Sequence, residues 1–563
     1  MSKEIQEFIE KLKDWKNNFP VQDYDYAKYN CEVANIAKWQ KESNINEIIN
    51  FWNEKLKEDY FELKHPTYND VITRAVWSII SADTATIVFM IDKDNKYPWL
   101  FAQVFSLINC IITPNKMSIF LDWGKDEKSV VSWYLSKGLL ILNKEDCENR
   151  FFFKNAEFVL SLQHFRPAHH FVENYPIFYF ADKIKLKNKI FISPTFFIPK
   201  DFTAINRTEI SKNQVCIRPT TLDCAIIPDK KNIFNHALQE SLEDYHILAD
   251  KDRLKQEYDL TIWLGFPGQR RAWLEQIEGT ANILRHFNKY FKKIKVYVDG
   301  MTAYDGERQD FPENKVLFNK VVDATRKLFL EECDKNIIFT FEDSQDLVSS
   351  LTNKEKFVVF KSLSGYDYRT KICYCNDCNI VIGDAGTTAL VPFEICAKSG
   401  VIMFGHPFEG YAARLHSLHL IKLISKEYLI TKDVVGWSMN YHIPYQHIYN
   451  LAAEVLEKLS GENKLKVKNL KMHRLEVPPV KLIAKQYELE KQFEVKIPLE
   501  NVEFVDKLAT QLQQKDQIIQ TKTQELTSKN QELESKTQEL TQTKNQLDST
   551  KQQLDSKTKE LSS

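Results

Sequence analysis

Binding a phosphate takes N–H groups, cations and room for the backbone to approach, and two segments supply that combination. The apolar run Leu260–Phe266 ends in Gly265-Phe-Pro-Gly268-Gln-Arg270-Arg271. Gly265 and Gly268 permit close backbone approach, and Arg270 and Arg271 can clamp a phosphate in a forked geometry. An ordinary strand-to-helix turn with two surface arginines would read the same way. The second segment is NIVIGDAGTTALVPFEICAKSGVIMFGHP, residues 379–407. Gly383, Asp384 and Gly386 predict a tight turn at a strand end. Thr387 and Thr388 then offer hydroxyls and N–H groups at a helix start, which suits an anion. Glu394 lies about two helical turns further on, and His406 follows the next strand, where it could face the same ligand. Plain N-caps and a surface glutamate would explain the threonines and Glu394 singly. They do not explain why turn, helix and Gly-rich strand end arrive as one block.

Acid–base candidates stand upstream. LQHFRPAHHF, residues 162–171, holds His164, Arg166, His169 and His170 just after the apolar run AEFVLSL. A neutral His169 or His170 at a cleft edge could take a proton from an acceptor hydroxyl. His164 and Arg166 could bind that acceptor, Arg166 especially if it is anionic. Histidines that cap a strand end or fill an interface are the competing reading. Asp92, closing the run Thr84–Asp92, is a weaker candidate base. Cys373, Cys375 and Cys378 form C-x-C-x-x-C, but a structural zinc site wants four ligands, usually in paired knuckles. Free thiols are expected, with no bound metal and no cofactor.

These side chains need a scaffold of more than one core. The chain has 563 residues, and a hydrophobic fraction of 43% supports large buried interiors. Lys+Arg of 76 against Asp+Glu of 77 leaves no electrostatic case for bulk nucleic-acid binding. Ten cysteines and a charged start, MSKEIQEFIE, predict reduced thiols in a cytoplasmic protein without a secretory leader. The longest apolar stretch, Trp99–Ile112, is too short to span a bilayer and reads as a buried helix.

Residues 1–65 read as polar helices with one aromatic face each. Across 66–250, short β-rich runs at Thr84–Asp92, Met117–Trp123, Lys137–Leu142, Ala156–Leu162, Pro176–Phe180 and Lys189–Pro194 predict a mostly parallel sheet covered on both faces. Residues 251–460 alternate more cleanly. Strands are expected at Leu260–Phe266, Lys295–Gly300, Asn336–Glu342, Lys356–Leu363, Asn379–Gly386 and Gly400–Pro407. A basic linker, 461–500, follows. Its Lys464–Lys481 stretch carries six Lys/Arg and one Glu, enough to hold a protein on an anionic membrane surface. A solvated linker is the alternative.

Residues 501–563 contain no Gly or Pro. Leu526, Leu533, Leu540, Leu547, Leu554 and Leu561 recur every seven residues, with Leu512 and Ile519 continuing the series upstream. That is a coiled-coil pattern and predicts homo-oligomers. With these residues at d, the a positions are Thr523, Asn530, Thr537, Lys544, Lys551 and Thr558, so the seam is thin and association weak.

The 379–407 block resembles the donor-binding segment of GT-B glycosyltransferases, in which two Rossmann-like domains face each other across a cleft. The resemblance implies an α/β fold of two facing Rossmann-like domains plus the coiled-coil helix. The C-terminal domain would bind a nucleotide sugar and the N-terminal domain a glycan or lipid-linked acceptor. It further implies Glu394 on the ribose, Gly383, Asp384, Gly386, Thr387 and Thr388 at the diphosphate or sugar, and Arg270 and Arg271 in the phosphate-contacting loop. Gly386 stands eight positions before Glu394, so the E-x7-E pattern of retaining members is not met. The heptad tail is similar to those of some bacterial surface-glycan transferases. The expected activity is sugar transfer in surface-polysaccharide synthesis, independent of metal, on the inner face of a membrane. The alternatives are a nucleotide-sugar epimerase or polyol-phosphate transferase on the same fold, or a non-catalytic coiled-coil scaffold.

Overall fold

The structure, a computed structural model, describes residues 2–81, 85–104, 107–120, 130–143, 156–161, 166–179, 191–192, 195–200, 211, 213–219, 230–243, 258–266, 270–331, 337–340, 355–416, 420–436 and 438–562. The chain is mixed α/β and divides into two compact units, Met1–Val477 and Pro478–Ser563.

The first unit opens with α1 (Lys3–Lys13), α2 (Glu32–Lys41) and α3 (Ile45–Lys55). Ser2 and Asn44 cap the first and third by accepting from Ile5 N and Glu47 N. A six-stranded meander follows: β1 (Glu62–Lys64), β2 (Ile72–Ser81), β3 (Ala85–Asp92), β4 (Trp99–Val104), β5 (Leu107–Thr113) and β6 (Lys116–Ile119), each antiparallel to the next. This corrects the parallel sheet expected from the sequence. The reason is visible in β3. Ile87, Phe89 and Ile91 pack on one face with α1, while Val88 and Met90 pack on the other with α2 and α3. A sheet covered on both faces loses the polar alternation that usually marks an antiparallel one.

The helix expected over Trp99–Ile112 is instead the β4–β5 pair. An unbroken apolar run carries no period that separates a buried helix from buried strands. Its polar residues serve the sheet: Asn109 accepts from Val104 N at 2.7 Å, and Gln103 exchanges hydrogen bonds with the backbone of Arg218. Two further expected strands are helical. Lys137–Leu142 falls on α4 (Val130–Leu139) and the turn after it, and Tyr175–Tyr179 is a short helix. Among the described residues before 250, parallel strand pairing joins β7 (Glu157–Ser161), β8 (Phe191–Ile192) and β9 (Gln214–Ile217), ordered β8-β7-β9, and a single parallel bridge links Val21 to Met117. Helix α5 (Lys230–Glu243) leads on toward the second sheet.

That sheet contains the strands the βα alternation predicts. They are β10 (Leu260–Gly265), β12 (Lys293–Val298), β13 (Ile337–Thr340), β14 (Phe357–Ser362), β15 (Ile380–Asp384) and β16 (Gly400–Met403), with β17 (Ile421–Leu423) at the edge. All are parallel, in the order β13-β14-β12-β10-β15-β16-β17. Crossovers run through α6 (Gln276–Phe287), α7 (Pro312–Glu331), α8 (Tyr368–Asn376) and α9 (Glu409–His416). The chain leaves β10 in one direction and returns to β15 on the other side. The topological switch point of this doubly wound sheet therefore lies between β10 and β15. A second small sheet, β11 (Arg271–Trp273), β18 (Ile430–Val435) and β19 (Ser438–His442), has the order β11-β19-β18. Helix α10 (Tyr445–Gly461) closes the sheet. The basic segment after it is extended and ordered against α10: Leu465, Leu470 and Met472 are buried, Arg474 pairs with Glu457 at 2.9 Å, and Lys464, Lys466, Lys468 and Lys471 are exposed.

The second unit is a helical hairpin. α11 (Val480–Phe493) ends at Glu494 with φ of 54°, and α12 (Val502–Leu561) is 60 residues long. Leu489, Ile497 and Val502 form its small core, with Leu482, Val505 and Ala509 against it.

Candidate functional site

Ligands of open parallel sheets bind beyond the carboxyl ends of the strands, at the switch point. Here that places Gly265, at the end of β10, beside Gly383 and Asp384, at the end of β15. Asp384 is fully buried. Its Oδ1 accepts from Arg271 Nε at 2.7 Å, and its Oδ2 accepts from Tyr441 Oη at 2.7 Å. Burial pushes the Asp384 carboxyl upward, and the Arg271 charge and the Tyr441 hydroxyl pull it back down. Burial also holds Tyr441 well above the ordinary tyrosine range, so it remains a neutral donor.

The small sheet makes this possible. β11 and β19 pair in parallel, Arg271 opposite Met439, and bring Arg271 and Tyr441 to the end of β15. The Arg271 guanidinium lies over the Phe408 ring, 4.3 Å from its centroid. One edge of the fork is thus fixed by a carboxylate and one face by an aromatic ring. Among the described residues, its two terminal nitrogens make no hydrogen bond. Those nitrogens reach Gly386, where a Cβ would collide with Nη2. Gly386 precedes the helical turn Thr387–Ala389, which continues as Leu390–Ile395. Thr387 is exposed, whereas the Thr388 hydroxyl is spent on Asp384 O at 2.9 Å. The result is a preset cation beside a backbone with no side chain in the way, an arrangement suited to a phosphate or carboxylate.

No protein-family model, curated protein or solved structure matches the chain. The site is therefore defined by its own geometry.

The other sequence candidates are placed as follows. Arg270 is exposed and its carbonyl accepts from Met439 N; His406 is exposed at the end of β16, its N–H on Thr431 Oγ1. Glu394 is not the surface residue that the plain reading assigned. Its side chain is buried, with Lys230 from α5 on one oxygen and Tyr411 Oη on the other at 2.7 Å, and Arg414 at 3.6 Å. Its carboxylate is already engaged in tying α5 and α9 together. Asp92 is buried and accepts from Asp94 N, Lys96 N and Tyr97 N, so it organises the β3–β4 turn and is not poised as a base. His170 is fully buried with Nε2 2.9 Å from Phe197 O, which fits the interface reading. Arg166 and His169 are partly exposed on the turn before it. Gly268 and His164 lie outside the described residues.

The seven cysteines among the described residues are buried thiols outside any disulfide. Cys373 Sγ donates to Ser241 O and Cys378 Sγ to Tyr374 O, and burial raises Cys375 far above the ordinary thiol value. Among the described residues no group of three or more His, Cys, Asp or Glu is arranged to hold a metal. No helix among them is long and apolar enough to cross a membrane.

Sequence reasoning missed Tyr441 and Phe408, since nothing local marks a tyrosine 57 residues beyond Asp384 as its partner. It also missed the junction that sets the N-terminal half on the second sheet. There Asp305 Oδ2 accepts from Ile198 N at 2.8 Å, Arg369 Nη2 donates to Ile198 O at 2.7 Å, and Arg369 lies 3.6 Å from Glu240. Beneath it, the fully buried Lys371 Nζ donates to Asp299 Oδ1, Gly300 O and Thr302 Oγ1. Burial lowers its pKa while Asp299 opposes that.

Proposed function

We propose that the protein is a glycosyltransferase of GT-B type that moves a sugar from a nucleotide-sugar donor to a hydroxyl of a glycan or lipid-linked glycan. The supporting observation is Arg271, fixed by Asp384 and Phe408 at the switch point, with no hydrogen bond at its terminal nitrogens among the described residues and Gly386 beside them. Transfer breaks the bond between the sugar's anomeric carbon and the diphosphate and forms one to the acceptor oxygen. Charge develops on the departing diphosphate, where a preorganised guanidinium contributes most. The acceptor's proton needs a base, for which the partly exposed His169 remains the candidate from the N-terminal half. The exposed lysines of residues 464–471 would hold the chain on an anionic membrane surface, where lipid-linked acceptors reside.

The test is thermal stability of the full chain with UDP, GDP, CMP, ADP and their sugar conjugates. A ligand at 100 times its Kd stabilises the fold by about 2.7 kcal/mol. A shift with one nucleotide family, abolished in Arg271→Ala, is the expected outcome. Absence of any shift would remove the main support and favour the scaffold reading. Product analysis separates the enzymatic rivals: an epimerase needs no acceptor, and a polyol-phosphate transferase releases a nucleoside monophosphate.

A further inference from the structure

The stripe of Ile519, Leu526, Leu533, Leu540, Leu547, Leu554 and Leu561 on α12 is uncovered; Leu526 is 60% and Leu540 71% exposed. A helix of 60 residues spans about 90 Å, and α11 supports only its first turns. An isolated helix with so little apolar support is marginal in water. A strict seven-residue repeat fits a second helix of the same repeat.

We infer that α12 pairs with α12 of a second copy of this chain as a parallel, in-register, two-stranded coiled coil. This deepens the self-association expected from the repeat, and three features of the helix carry it. The flanking g positions are Lys515, Lys522, Lys529, Lys536 and Lys557, interrupted only by Thr543 and Thr550. Three e positions are acidic, Glu534, Asp548 and Asp555, and the others are Gln, Thr or Ser. In a parallel pair each g residue faces the e residue five positions on. Lys529 then meets Glu534 of the other copy, and no g lysine meets another lysine, although Lys544 and Lys551 face their own counterparts in the a layers. In an antiparallel pair g faces g and e faces e, so lysine rows oppose each other and acids oppose acids. Flanking charges of this kind set orientation.

Layer composition points the same way. Parallel packing stacks leucine on leucine at every d layer, whereas antiparallel packing sets each leucine against Thr, Asn or Lys. Asn530 at an a position, paired with its own copy, fixes register and favours two strands over three. Lys544 and Lys551, also at a, have Asp548 and Asp555 four residues on along the same helix face.

The experiment uses the full chain with single added cysteines, the wild type run alongside to subtract cross-links from native thiols. Sedimentation velocity on the wild type should show a dimer that dissociates on dilution, and Leu540→Asp should be monomeric. Under mild oxidation, Thr523→Cys and Thr558→Cys should each form disulfide dimers in most of the chain, because parallel register brings like a positions within disulfide reach. Ser549→Cys, on the outer face, should not. A dimer that fails to cross-link through Thr558→Cys would overturn the parallel register. A monomer at every concentration would overturn self-association itself. Neither result bears on nucleotide binding, so failure here and failure of the transferase reading are separately visible.

Discussion

At the scale of single residues, the site depends on a cation that the protein holds still. Replacing Asp384 by Asn would leave Arg271 without its counter-charge in a buried setting, and breaking a buried pair costs about 3–5 kcal/mol. Tyr441→Phe removes one hydrogen bond to the same carboxylate and should cost about 1–3 kcal/mol; urea denaturation measures both. Gly386→Ala is more specific. The added methyl would collide with Nη2 and Cζ of Arg271 and lie 3.3 Å from Asp384 Oδ1, so the guanidinium must shift; the nucleotide-induced thermal shift should be lost, at a stability cost below that of Asp384→Asn. Titration adds a separate signature. Burial pushes His65 and His447 from 6.5 down to about 4. Their stabilisation is present above about pH 6.5 and is lost as pH falls through 4. Asp305 runs the other way: burial lifts it from 3.8 to about 6 against the opposing Arg369. Its contribution is present below about 3.8 and is lost as pH rises through 6. Denaturation curves at pH 4.5 and 7 should therefore differ less in His65→Asn than in the wild type. The His65 contribution to that difference is at most about 3 kcal/mol. Asp305→Asn should remove the opposing loss between pH 4 and 6.

At the scale of elements, legibility in the sequence followed the length and isolation of each pattern. The strands from Leu260 to Met403 were readable because each is a short apolar run followed by a helix, and their C-terminal ends led directly to Gly265, Gly383 and Asp384. The meander was not, because β3, β4 and β5 are buried on both faces, so neither alternation nor helical period survives in Thr84–Thr113. Arg271 was found as a candidate, but its partners Tyr441 and Phe408 were invisible. A small sheet assembled from β11 and β19 joins segments that share no local signal. Glu394 shows the converse: its place in a helix was readable, whereas its burial against Lys230 and Tyr411 was set by α5, far upstream. The loop after β12 carries its own prediction. Lys371→Met would leave Asp299 buried without its cation and should destabilise by about 3–5 kcal/mol, a loss that Lys371→Arg should not restore in so confined a space.

At the scale of the whole molecule, the N-terminal half meets the second sheet through Thr195–Ile198 and α5, with Arg369 and Asp305 at the junction and Phe171 and Phe196 packed on Tyr368 and Tyr304. Arg369→Ala should loosen that junction, read as faster amide exchange at Ile198 and Asp305 with protection of the β10 and β15 amides retained. The β11–β19 pairing has a further consequence, for the order of assembly. Arg271 and its strand partner Met439 stand at opposite ends of the segment that builds the parallel sheet, which makes this among the least local contacts in the sheet region. Contacts of such large sequence separation form late, after the intervening loop has been closed by cheaper ones. A chain emerging from the ribosome would complete β10 through β16 with Asp384 lacking Tyr441. The Asp384–Arg271–Tyr441 centre is therefore expected to be the last part of this sheet to mature, and a chain stopped before residue 438 would acquire its scaffold without Tyr441 on Asp384.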